Sequence, residues 1–193
     1  MSRGRKKIEY KSAIAIVGEG KTEQIYFTQL RNYEQIGFTV KPELPKHSDI
    51  RSIVNKAIQL IDHKGYDVVF CVFDLDEIND NKTIKDEYYV LKRKYNKGKI
   101  IFIENNPCIE FWFLIHYQRI TKIFNNYGQL EKLLKQNIPD YQKTEKYLIS
   151  KNIYTHLKEH QSKAKENAEH GIAVGTPTSS KSEVHLILDH LKI

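Results

Sequence analysis

Apolar and polar positions along this chain fall into blocks that switch repeatedly between the period of a strand and that of a helix. Ile14-Ala15-Ile16-Val17 is an unbroken apolar run and predicts a buried strand. Gly18-Glu19-Gly20 closes it as a tight turn, for which glycine's tolerance of positive φ is suited. Thr22 stands where a helix cap is expected, ahead of a helix over Glu23 to Leu30. Phe38 to Lys41 forms a short strand closed by Pro42 and Pro45. Ile50, Ile53, Val54, Ala57, Ile58 and Ile61 then recur at helical spacing, with Asp49 as cap and Gly65 as stop. Asp67 to Phe73 is almost continuously apolar, as a central parallel strand covered on both faces must be. It ends in Asp74-Leu75-Asp76. A polar helix over Asn79 to Lys97 shows Tyr88, Leu91 and Tyr95 on one face, and Lys99 to Ile103 is a further buried strand ending at Glu104.

This alternation of strand and helix predicts the α/β class, a mostly parallel sheet flanked by helices. The remainder is helical in pattern. Asn105-Asn106-Pro107 is a turn into an apolar helix over Cys108 to Tyr117. Further helices are expected over Gly128–Gln136, Thr144–Ser150 and Ile153–Ala168, and a loop over Gly171–Thr178. Ser180 and Glu183 have the spacing of a capping box for a last helix. The expected organisation is one compact unit: a basic N-terminal arm (1–10), an α/β core (11–104) and a mainly helical elaboration packed on it (105–193).

Composition narrows the setting. Basic residues outnumber acidic ones 31 to 24, a net charge of +7, which favours polyanionic partners, nucleic acid first. Cys71 and Cys108 are far apart and form no CxxC pair, so a disulfide framework is not expected and the reducing cytoplasm is. No apolar run approaches the ~18 residues of a membrane span. The basic start lacks the apolar stretch of a signal peptide.

The candidate chemistry lies at strand ends. Glu19 follows the first strand, and Asp74 and Asp76 follow the central one. In open α/β sheets ligands bind at that edge. Residues two apart on a strand share a side, so the two aspartates are expected to face one point. Converging carboxylates repel one another unless a hard cation such as Mg²⁺ joins them, leaving coordination sites for phosphate oxygens. Glu19 would ligate or act as a general base on water. Gly20-Lys21-Thr22 ends like a phosphate-binding P-loop, but that pattern requires glycine at position 15, where Ala15 lies inside the strand.

Val17-Gly18-Glu19-Gly20-Lys21-Thr22-Glu23 with Tyr26-Phe27, then Val72-Phe73-Asp74-Leu75-Asp76, resemble the core of a Toprim domain. With Asn106-Pro107-Cys108-Ile109-Glu110-Phe111-Trp112 through His116, and the loop Thr176-Pro177-Thr178, the chain resembles the RloB-like family of small Toprim proteins from restriction and phage-defence loci. It departs from that pattern with Gly18 in place of cysteine, Asn105 in place of serine and Thr176 in place of asparagine.

The resemblance implies a Mg²⁺-dependent nuclease, with Mn²⁺ as a substitute ion, that hydrolyses RNA or DNA in antiviral defence. It makes Glu19, Asp74 and Asp76 the metal-site acids. The alternative is a non-catalytic module that binds nucleic acid or nucleotide within a defence complex. A partner protein from the same locus and an oligomer are both compatible with either.

A second group surrounds the Asn-Pro-Cys block. Glu110, flanked by Ile109, Phe111, Trp112 and Phe113, would be costly if buried alone, so it needs a partner, for which Lys143 is the candidate, or a catalytic role. Lys21, Asn106, His116 and Lys143 complete the expected site as nucleic-acid or phosphate contacts. His116 has a satisfied core histidine as its competing reading, and Lys143 a solvated surface lysine.

Overall fold

The strands β1 (Ile14–Gly18), β2 (Thr39–Lys41), β3 (Val68–Asp74), β4 (Ile100–Asn106) and β5 (Lys181–Ser182) form a single sheet ordered β2-β1-β3-β4-β5. The first four run parallel, and β5 pairs antiparallel to the end of β4 through Asn105–Ser182 and Asn106–Lys181. A computed structural model describes residues 12–41, 49–176 and 178–193 of the chain. The basic arm, Pro42, Pro45 and Pro177 lie outside the described residues.

Side-chain alternation along the central strands divides the interior into two apolar layers. Ile14, Ile16, Phe70, Val72 and Ile103 point to one face. There they meet α1 (Lys21–Glu34) and the helices that follow β4: α5 (Glu110–Ile115), α6 (Tyr127–Asn137), α7 (Glu145–Lys151), α8 (Ile153–Lys158), α9 (Gln161–Val174) and α10 (Val184–Leu191). Ala15, Val17, Val69, Cys71, Phe73 and Phe102 point to the other face, against α2 (Ile50–Lys64), α3 (Leu75–Asp80) and α4 (Lys82–Tyr95). The continuous apolar runs of β1 and β3 follow directly, since both faces of a covered parallel strand are buried. On the first face the Trp112 indole donates to the Tyr26 hydroxyl at 2.7 Å, so this large buried pair loses no hydrogen bond. No described helix is long and apolar enough to cross a membrane.

Several local expectations are corrected. Helix α1 begins at Lys21 with Gly20 as its cap, so Thr22 lies inside the first turn and caps nothing. Asp49 does cap α2, accepting from the Ser52 amide, and Gly65 ends it at φ 68°. The polar helix is two, α3 and α4, joined at Asn81, whose side chain caps the second. The helix expected over 153–168 is also two, and the second reaches Val174, into the expected loop. The apolar helix over 108–117 shortens to α5. Ser180 and Glu183 form no capping box. Ser180 accepts from the Phe124 amide, and the Glu183 carboxylate accepts from the Glu104 amide and from Lys181. The two residues between them are β5, an edge strand too short to show a period.

Candidate active site

The strand order reverses between β1 and β3. The chain leaves β1 toward β2 on one side and returns to β3 on the other, which opens a crevice at their carboxyl ends. Gly18 of β1 is level with Val72 of β3, so the β1 turn and the end of β3 meet there. The crevice is a cleft of about 450 Å³ lined by six acids, Glu19, Glu23, Asp74, Asp76, Glu77 and Glu145, against two lysines, Lys21 and Lys143.

The glycines of the β1 turn serve proximity here. Neither has positive φ. A Cβ on Gly18 would lie 3.0 Å from the Glu23 Cβ, and one on Gly20 would lie 2.9 Å from Glu23 Oε2. The turn is bare because Glu23 folds back over it from the first turn of α1. Glu23 is 3 % exposed and sits beside Asp74, a place in the site that its position in a helical pattern did not reveal. The available signal was its spacing, four residues after Glu19 on a glycine turn.

Asp74 ends β3. Asp76 does not continue the strand, so alternation along a strand is not what brings the two together. The chain turns into α3 at Leu75, and the amides of Leu75 and Asp76 both donate to the Pro107 carbonyl, at 2.9 and 3.1 Å. Asp76 Oδ1 accepts from the Glu77 amide at 2.9 Å. The Asn106–Pro107 peptide is cis. The turn after β4 thus anchors the segment that carries both aspartates.

Electrostatically the cleft is overloaded. Burial, then Glu23, Glu110 and Glu19, push the Asp74 carboxyl well above its ordinary range. Burial, then Glu23, Glu77 and Asp76, do the same to Glu19. Burial raises Glu23 and Asp76 as well. Asp74 Oδ1 is buried and has no hydrogen-bond partner among the described residues. A crowd of hard oxygen donors with one buried oxygen unmatched suits a small divalent cation. Glu19, Asp74 and Asp76 all line the cleft, but among the described residues the three possible ligands whose atoms come within 4.8 Å of one another are Asp74, Cys108 and Glu110.

Glu110 stands at the start of α5 and is fully buried. Its carboxylate accepts from Lys143 at 3.1 Å and from the Tyr141 hydroxyl at 3.2 Å. Lys143 also lies 4.7 Å over the Tyr127 ring. Burial opposes the ammonium charge, but Glu110 outweighs it and holds the Lys143 pKa above its usual value. Glu110 therefore has a partner, and that partner lines the cleft.

The other expected contacts divide. Lys21 is exposed at the start of α1 and lines the cleft. Asn106 and His116 are not among its lining residues. The Asn106 side-chain amide donates to the carbonyls of Thr178 and Ser179, tying the late loop to β4. His116 is 1 % exposed, with Nδ1 on the Trp112 carbonyl at 2.8 Å, and burial lowers its pKa to about 3. It is a neutral core histidine. Glu104 is held by Lys92 at 2.5 Å, Lys181 at 2.6 Å and the Tyr88 hydroxyl at 2.8 Å, so Lys92 is spent on a structural pair.

A family model described as RloB-like protein matches residues 14–191. No curated protein and no solved structure matches the chain.

Proposed function

This chain belongs to the RloB-like family, and from that membership and the cleft geometry we propose a Toprim-type, Mg²⁺-dependent nuclease that hydrolyses RNA or DNA in antiviral defence. The observation that carries the reading is Asp74, whose buried oxygen is unmatched inside an acid-lined crevice at the reversal of strand order. Glu19, Asp74 and Asp76 would hold the ion, and Mn²⁺ would substitute for it. Bound there, the ion would polarise the phosphodiester and stabilise the leaving oxygen.

The chain's own groups support the same chemistry. Lys143, held by Glu110 and Tyr127, presents a fixed positive charge to a phosphate entering the cleft. Lys21, exposed at the start of α1, adds a second positive charge to the cleft lining. Glu23 and Glu19 have carboxyls raised by burial and by their neighbours, and a carboxyl shifted toward neutrality exchanges protons with water more effectively than an ordinary one.

The test incubates the full chain with total RNA and with plasmid DNA, in Mg²⁺, in Mn²⁺ and in chelator, beside Asp74→Asn. The expected outcome is cleavage in either metal, none in chelator, and a loss of at least about a hundredfold in the variant, the scale on which single electrostatic groups of an active site act. Cleavage by a folded Asp74→Asn protein would reject the site. Binding of RNA or DNA without metal, with no cleavage under any condition, would favour the non-catalytic module.

A further inference from the structure

Asp74 has neighbours of two chemical kinds. On the cleft side lie the oxygen donors Glu19 and Asp76. On the inner side lie Cys108, from the turn after β4, and Glu110, from the start of α5. One carboxylate oxygen each of Asp74 and Glu110 and the Cys108 sulfur all lie within 4.8 Å of one another. Ligands of one tetrahedral zinc stand roughly 3.5 Å apart, so the three need close by only about an ångström. Cys108 is a free thiol, 1 % exposed, and one Asp74 oxygen, Oδ1, is buried without a partner among the described residues. A thiolate with two carboxylates selects a borderline-soft cation, whereas Mg²⁺ takes oxygen donors alone.

We propose that Asp74, Cys108 and Glu110 form a second metal site, for zinc-class cations, that shares Asp74 with the cleft. A cation enters from the cleft past Asp74. The Cys108 thiol proton leaves to water, as metal–thiolate binding requires. Lys143, whose side chain is 40 % exposed, releases Glu110 and turns outward. Water fills the remaining position. Occupation of the inner site withdraws Asp74 from the oxygen-donor side and moves Lys143, so zinc acts as an inhibitor. This regulatory half rests on the nuclease reading; the binding half does not.

The test titrates the reduced, metal-free full chain with Cd²⁺ and follows thiolate-to-metal charge transfer in the ultraviolet. A band saturating near one Cd²⁺ per chain and displaced by Zn²⁺ is expected. Cys71→Ser, a change at the only other cysteine, buried in β3, should keep the band. Cys108→Ser should lose it while its circular dichroism stays that of the parent. Glu110→Gln should weaken binding about tenfold or more. No band in the parent, or a band surviving Cys108→Ser, overturns the site. Absorbance reads the metal–sulfur bond itself, so it decides the matter even where no nuclease activity is found. Where Mg²⁺-dependent cleavage is measured, one equivalent of Zn²⁺ should abolish it in the parent and spare Cys108→Ser. Equal inhibition of both overturns the regulatory half.

Discussion

At Asp74, burial and three neighbouring carboxylates act in the same direction, and the consequence reaches stability as well as chemistry. Its carboxyl is raised well above the ordinary 3.8, so the folded chain keeps the proton over a pH range in which the unfolded chain has lost it. Stability from this group is therefore greatest at acid pH and falls as pH rises above about 4. Asparagine at 74 carries no charge and removes that loss. In chelator at pH 7, Asp74→Asn is expected to melt higher than the parent. Each unit by which the carboxyl is raised corresponds to about 1.4 kcal/mol, roughly 3–5 °C for a chain of this size. The gain should vanish toward pH 4. Thermal melts across that range check it, and a variant that melts lower at pH 7 would contradict the crowding described for the cleft. Glu23 shows the limit of reading at this scale. Helical spacing accounts for Glu23 as a first-turn acid, and only the fold reveals that it closes over Gly18 and Gly20 with its carboxyl beside Asp74.

Between elements, the Glu110–Lys143 pair joins α5 to the segment ahead of α7 across the inner wall of the cleft. Lys143→Met leaves Glu110 charged and buried, a loss of about 3–5 kcal/mol. Adding Glu110→Gln removes the stranded charge and should recover most of that loss. Denaturant unfolding of the two single variants and the double one measures it, and additive losses would show that the pair is not coupled. The main elements were legible in the chain because covered strands are continuously apolar and α2 carries an unbroken stripe. Breaks were not. Ile153, Tyr154, Leu157, Gln161, Ala164 and Ala168 keep one helical phase, so the stripe runs through the interruption between α8 and α9 without marking it. The turn at Leu75 is held by the carbonyl of Pro107, far along the chain, which no local pattern encodes. Glu110's need for a partner was legible from its apolar flanks; His116 and Asn106 were drawn toward the site by their sequence neighbourhood, whereas their hydrogen bonds turn them to the core and the late loop.

Over the whole molecule, charge and site have opposite signs: the chain carries +7, and its cleft is lined mainly by acids. With that net charge a polyanion is expected to be attracted by the chain as a whole yet repelled from the cleft until a cation neutralises it. Two consequences follow at this scale. Affinity for RNA or DNA should fall at least about tenfold between roughly 50 and 200 mM salt, since phosphate neutralisation releases counterions; anisotropy titrations at several salt concentrations check this, and a flat profile would contradict it. The metal should bind first and independently of nucleic acid. The most direct test is a titration of the thiol-reduced chain with Mn²⁺, reading free ion by electron paramagnetic resonance. The parent should remove about one Mn²⁺ per chain, in competition with Mg²⁺, and a folded Asp74→Asn protein should remove none over the same range. Equal uptake by both proteins, or none by the parent, would contradict a metal centre built on the ends of β1 and β3.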